Sequence, residues 1–112
     1  MGNPFGNIGG MGGMMKQAKK MMEAVQKAQE ELAEERVEAT SGGGMVKAIA
    51  NGQGDLVGVK IDPQVVDPED IEMLEDLVTT AVREVLAKAK QLQADRMNEA
   101  TGGLAGGLSG MF

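Results

Sequence analysis

Apolar residues return at alternating intervals of three and four along residues 11–32: Met11, Met14, Ala18, Met21, Val25, Ala28 and Leu32. This is a heptad seam, with one side of a helix made apolar about every 3.5 residues. Met15 and Met22 lie one position past seam residues and widen it. Neither Pro nor Gly interrupts residues 14–35, so a first helix is predicted from Met14 to Glu35, roughly 33 Å long at the standard rise. Lys16, Lys19, Lys20 and Lys27 all fall off the seam.

The period then drops to two, the signature of strands. Val37 and Ala39 alternate with polar neighbours from Arg36 to Thr40. Val46, Ala48 and Ala50 share one side of a second predicted strand, Met45 to Ala50. Val57, Val59 and Ile61 do the same in a third, Leu56 to Asp62. Ser41-Gly42-Gly43-Gly44 and Asn51-Gly52-Gln53-Gly54-Asp55 separate the strands, and both have turn chemistry. Three antiparallel strands in a meander are therefore predicted, with one face apolar.

A period near 3.6 returns after Pro63. Asp67 is suited to cap a helix and Pro68 to open it, with Glu69 and Asp70 favoured at the positive end of its dipole. Ile71, Leu74, Val78, Ala81, Val85 and Leu92 form a second seam, interrupted at Lys88 and widened by Leu77, Val82 and Ala89. This second helix is predicted from Pro68 to Asn98, with Thr101-Gly102-Gly103 ending it. The expected fold class is α+β in the order α-β-β-β-α, two long helices flanking the meander. Residues 1–13 and 101–112 are glycine-rich and are expected to be flexible, leaving 14–100 as a single domain.

Composition narrows the chemistry. Cys and His are both absent, so the chain has no disulfide, no thiol nucleophile and no imidazole base. Ser41 and Ser109 have no His to activate them, and no catalytic residue is assigned. Asp62, Asp67, Glu69 and Asp70 match no metal-loop spacing, and no metal or other cofactor is expected. The glycine runs lack the Gly-Lys-Ser/Thr of a phosphate loop, and no small-molecule substrate is expected. No apolar run of about 18 residues occurs, so no membrane partner is expected and the protein is expected in the cytoplasm.

Charge is unevenly placed. The net charge is −6, yet residues 1–29 carry +3 and residues 62–76 carry −7. Local fields thus differ in sign from the total. With two Phe, no Trp and no Tyr, the stacking platform of single-strand binders is missing. Ten Met suit a pliable packing surface.

Helices of this length overhang a sheet of six-residue strands, which spans roughly 20 Å. The overhanging turns still carry apolar residues, Met11 to Met21 in one helix and Val85 to Leu92 in the other. The seam of Met11, Met14, Ala18, Met21, Val25 and Leu32, read as a coiled-coil or dimer seam, calls for a partner. A symmetric homodimer with projecting helical arms is expected.

The element order resembles that of the YbaB/EbfC family of small bacterial nucleoid-associated proteins. So do Met14-Met15-Lys16-Gln17-Ala18, Ser41-Gly42-Gly43-Gly44-Met45-Val46-Lys47, Asn51-Gly52-Gln53-Gly54 and Ile61-Asp62-Pro63. Met73-Leu74-Glu75-Asp76-Leu77 and Thr101-Gly102-Gly103-Leu104 extend the resemblance over nearly the whole chain. It implies a tweezer-like homodimer whose projecting helices hold duplex DNA, in the cytoplasm and on the nucleoid, influencing nucleoid organisation and gene expression. On charge and helix position, Lys16, Lys19, Lys20 and Lys27 are the first candidates for phosphate contact. Lys88, Lys90 and Arg96 come second, and Gln17 could add hydrogen bonds. With few arginines and no base-reading cluster, sequence preference is expected to be weak or broad. The alternative is a protein-interaction module built on the Met-rich amphipathic helices.

Overall fold

The computed structural model describes residues 8–102, with side chains from residue 12 onward. Its elements are α1 (Ile8–Glu34), β1 (Arg36–Ser41), β2 (Val46–Asn51), β3 (Leu56–Ile61) and α2 (Ile71–Ala100). This is the predicted α-β-β-β-α order. The three strands form one antiparallel sheet in the order β1-β2-β3.

Two helix starts differ from the sequence expectation. The first helix begins at Ile8, so Gly9, Gly10, Gly12 and Gly13 are helical rather than part of an arm. Glycine weakens a helix by about 1 kcal/mol per residue but does not clash with it, and no proline lies between Ile8 and Glu34. Residues 1–7 of the predicted arm, and residues 103–112 of the predicted tail, lie outside the described residues. The second helix begins three residues past Pro68. Asp67 instead closes a turn: its Oδ1 accepts from the Glu69 N–H (3.0 Å) and its carbonyl from the Asp70 N–H (2.9 Å). Asp70 is the true N-cap, its Oδ1 accepting from the Met73 N–H at 3.3 Å.

The core lies between α2 and one face of the sheet. Val46, Ala48 and Ala50 of β2 are fully buried, as are Ala81, Val85 and Ala89 of α2. Small side chains on both surfaces let helix and sheet approach closely. Two polar ties fix α2 over β1. The Ser41 hydroxyl donates to the Leu77 carbonyl (2.6 Å), and Lys88 Nζ donates to the Glu38 carbonyl (2.9 Å). Gly42, Gly43 and Gly44, between β1 and β2, all have positive φ, which explains the triple glycine.

The third strand is less buried than its alternation predicts. A bulge between Ile49 and Ala50 pairs Ala50 with Leu56 and Ile49 with Gly58, so Leu56 takes the inward register expected for Val57. The helix runs over β1 and β2 and barely reaches β3. Leu56 and Ile61 therefore stay exposed, and Val59 is half-buried.

Candidate nucleic-acid interface

Among the described residues, only the C-terminal third of α1 is held by the rest of the chain. Ala28 and Leu32 are buried, while Met14, Met15 and Met22 are each more than 70% exposed. The seam is thus continuous along the helix but satisfied only at one end. Met11 has no described side chain, Ala18 and Met21 are exposed, and Val25 is half-buried at the boundary. From about residue 23 toward its N-terminus, α1 projects as an arm. The described body and arm together are elongated, with extents of 84 × 29 × 16 Å.

The lysines divide by their place on this arm. At 100° per residue, Lys16, Lys20 and Lys27 fall within about 40° of one another, opposite Ala18 and Val25. Lys19 lies to one side of that group, and Gln17 to the other. All five side chains are exposed, and none of the four lysines forms an ion pair among the described residues. Glu23 lies on the same side and tempers the field. The arm therefore offers a lysine face and a methionine face back to back, both open to solvent.

The candidates on α2 are used differently. Lys88 is engaged with the Glu38 carbonyl, as described. Arg96 is half-buried between α1 and α2, paired with Glu31 at 3.7 Å and, more closely, with Glu35. Both cations serve the fold. Lys90 is exposed and forms no ion pair among the described residues. Sequence patterning had no means of separating these three, because each pairing crosses fifty or more residues.

Among the described residues, no group of three or more acidic side chains is placed to hold a metal ion. No described helix is long and apolar enough to cross a membrane. The acidic stretch 62–76 is spent partly on capping. Asp62 Oδ1 accepts from the Gln64 N–H (2.9 Å), and Asp67 and Asp70 act as above.

Residues 7–104 match the YbaB/EbfC DNA-binding family, covering both helices and the whole sheet. The chain belongs to the YbaB/EbfC DNA-binding family. Among its relatives is a nucleoid-associated protein of Thermoanaerobacter pseudethanolicus, 52% identical over 99 residues, which span 88% of this chain and 87% of that protein. A nucleoid-associated protein of Ruminiclostridium cellulolyticum is 46% identical over 112 residues, 99% of this chain and 96% of that one. The fold is also similar to the crystal structure of an uncharacterized protein from Helicobacter pylori, with a TM-score of 0.56 at 25% identity. That match covers 76% of this chain and 90% of the other. In this YbaB/EbfC chain, the lysine face of α1 is exposed and carries a local excess of positive charge.

Proposed function

We propose that this YbaB/EbfC protein binds duplex DNA as a homodimer, through the lysine face of its α1 arms, and acts in the cytoplasm on the nucleoid. The observation that carries the reading is the set of Lys16, Lys19, Lys20 and Lys27, exposed and without an ion-pair partner among the described residues, on a helix that stands clear of the body. Symmetry doubles these charges. Lys90 adds to them from α2, and Gln17 contributes hydrogen bonds. Lys88 and Arg96 would have to leave partners within the fold, so they contribute less.

The protomers meet, in this reading, along the edge that α2 leaves bare. Leu56 and Ile61 of β3 are exposed there. Leu77 and Lys88 lie over β1 and its turn, so the opposite flank of α2 faces β3. On that flank Val78, Val82 and Leu86 line an open apolar groove. An exposed edge strand beside an apolar groove favours pairing with a like surface. The acidic stretch 62–76, on the body, turns DNA away from it and toward the arms.

Phosphate contacts fix position without reading sequence. With lysines as the chief contacts and no aromatic side chain on the arm, discrimination between duplexes comes mainly from shape and bendability. Influence on nucleoid organisation and gene expression would follow from broad occupancy rather than from a single operator.

The test is binding to a short fluorescent duplex across a salt series, with molecular mass measured in the same buffer. The expected result is a dimer whose log affinity falls linearly with log salt. Changing Lys16, Lys19 and Lys20 together to Glu should abolish binding and leave the dimer intact. Unchanged affinity would overturn the assignment. Loss of function on changing Met14 and Met21, with duplex binding retained, would favour a protein partner on the methionine face.

A further inference from the structure

Gly52 looks, in sequence, like the glycine of an Asn-Gly hairpin turn, chosen for positive φ. The structure gives it another reason. Gly52 is not among the glycines with positive φ; in this turn that role falls to Gly54, at +90°. Gly52 is instead buried against the end of α1. A Cβ there would lie 2.7 Å from Leu32 Cδ2, 2.8 Å from the Leu32 carbonyl oxygen and 3.1 Å from Leu32 Cα. Two of those atoms are backbone, so a rotamer change cannot relieve the contact.

The close approach is used. The Gly52 N–H donates to the Leu32 carbonyl at 2.8 Å, satisfying one of the carbonyls at the helix end. One helical turn earlier, Gln53 Nε2 donates to the Gln29 carbonyl at 2.9 Å. The turn that makes both contacts is itself braced. Asn51 Oδ1 accepts from the N–H groups of Gln53 and Asp55, both at 3.0 Å, and the Asn51 N–H donates to the Asp55 carbonyl at 2.9 Å. A stiff turn therefore grips α1 at two points, roughly 4.5 Å apart along its axis.

We propose that the Asn51–Asp55 turn is the joint that aims the α1 arm, with Gly52 and Gln53 acting as positioning residues for duplex binding. The inference rests on the reading of α1 as the DNA-binding arm. Its force lies in leverage. Lys16 is sixteen residues from Leu32, or roughly 24 Å along the helix. Relieving the contact of a new Cβ needs a shift of roughly half an ångström at one grip point. Over the spacing between grip points, that tilts the helix by about 6° and carries Lys16 roughly 3 Å, the length of a hydrogen bond. A displacement too small to unfold the sheet is thus large at the lysines.

The test uses the full chain, which contains no native cysteine. Spin labels at Gly12→Cys on the arm and Lys60→Cys on β3 report the arm direction, with labelled protein diluted into unlabelled protein so that only distances within one chain count. The parent should give one narrow distance distribution. Gly52→Ala should shift or broaden it, and the milder Gln53→Ala should broaden it without lowering the body's stability enough to unfold it. In both variants duplex affinity should fall, by roughly tenfold for Gly52→Ala, as preorganisation is lost. The slope of log affinity against log salt should stay at the parent value, because no phosphate contact has been deleted.

Distributions in both variants that superimpose on the parent's would overturn the joint. Altered distributions with unchanged duplex affinity would overturn its positioning role. Should the parent itself bind no duplex at low salt, the DNA reading fails by that result, and the distance distributions alone decide whether the turn aims the arm.

Discussion

Lys88 Nζ donates to the main-chain carbonyl of Glu38 at 2.9 Å, tying the middle of α2 to the middle of β1. The same Glu38 pairs through its carboxylate with Lys47 of β2, at 3.5 Å. A lysine that interrupts the apolar seam of α2 thus anchors the helix across the sheet. Lys88→Ala should lower stability by about 0.5–1 kcal/mol, the range for a solvent-exposed tie of this kind. Urea denaturation checks this. The salt slope of duplex binding should be unchanged, which separates Lys88 from the arm lysines.

Ser41 makes the second tie. Its hydroxyl donates to the Leu77 carbonyl at 2.6 Å in a half-buried setting. Ser41→Ala should cost about 1 kcal/mol of unfolding free energy. The carbonyl of Leu77 keeps its place in the helix, so far-ultraviolet circular dichroism should not change.

Among the described residues, Leu32 is the only fully buried large side chain of α1, and it meets Gly52 at the joint. Leu32→Ala should destabilise the protein by about 2–5 kcal/mol, the cost of a cavity left by a truncated leucine. Hydrogen exchange should show the loss first in α1, because the core between α2 and the sheet does not include Leu32.

Disrupting the proposed self-association surface should yield a monomer. Ile61→Lys with Leu86→Glu places charge on two exposed apolar positions, neither of them part of the buried core. Dimerisation should weaken by roughly a hundredfold or more, from the apolar burial lost. Sedimentation should show half the mass, with the secondary structure intact.

The arm lysines make a countable prediction. Changing any one of Lys16, Lys20 or Lys27 to Gln removes one phosphate contact per protomer, or two per dimer. The salt slope should become shallower by about 1.8 for each change. A slope that does not move would remove that lysine from the interface.

Much of this architecture was legible in the chain itself. The switch from a heptad period to a period of two and back gave all five elements in order, because each period reflects a backbone geometry that needs no distant partner. The triple glycine after Ser41 was legible for the same reason, as positive φ is a local demand. The lysines of α1 were legible as a charged face because one helix carries them all.

What the tertiary structure decided is everything that depends on which surface meets which. The placement of α2 over β1 and β2 left Leu56 and Ile61 exposed, although their strand alternates as a buried one does. Lys88 and Arg96 looked like spare cations until their partners, on β1 and α1, were brought alongside. The clearest case is Gly52. By itself an Asn-Gly pair states a turn, and a turn is what forms. That this glycine is there to let Leu32 approach is a contact between residues twenty apart in the chain, and local pattern carries no record of it. Periodicity sets which residues share a face, because that is covalent geometry. What covers the face, and at what angle an arm leaves the body, is set by packing.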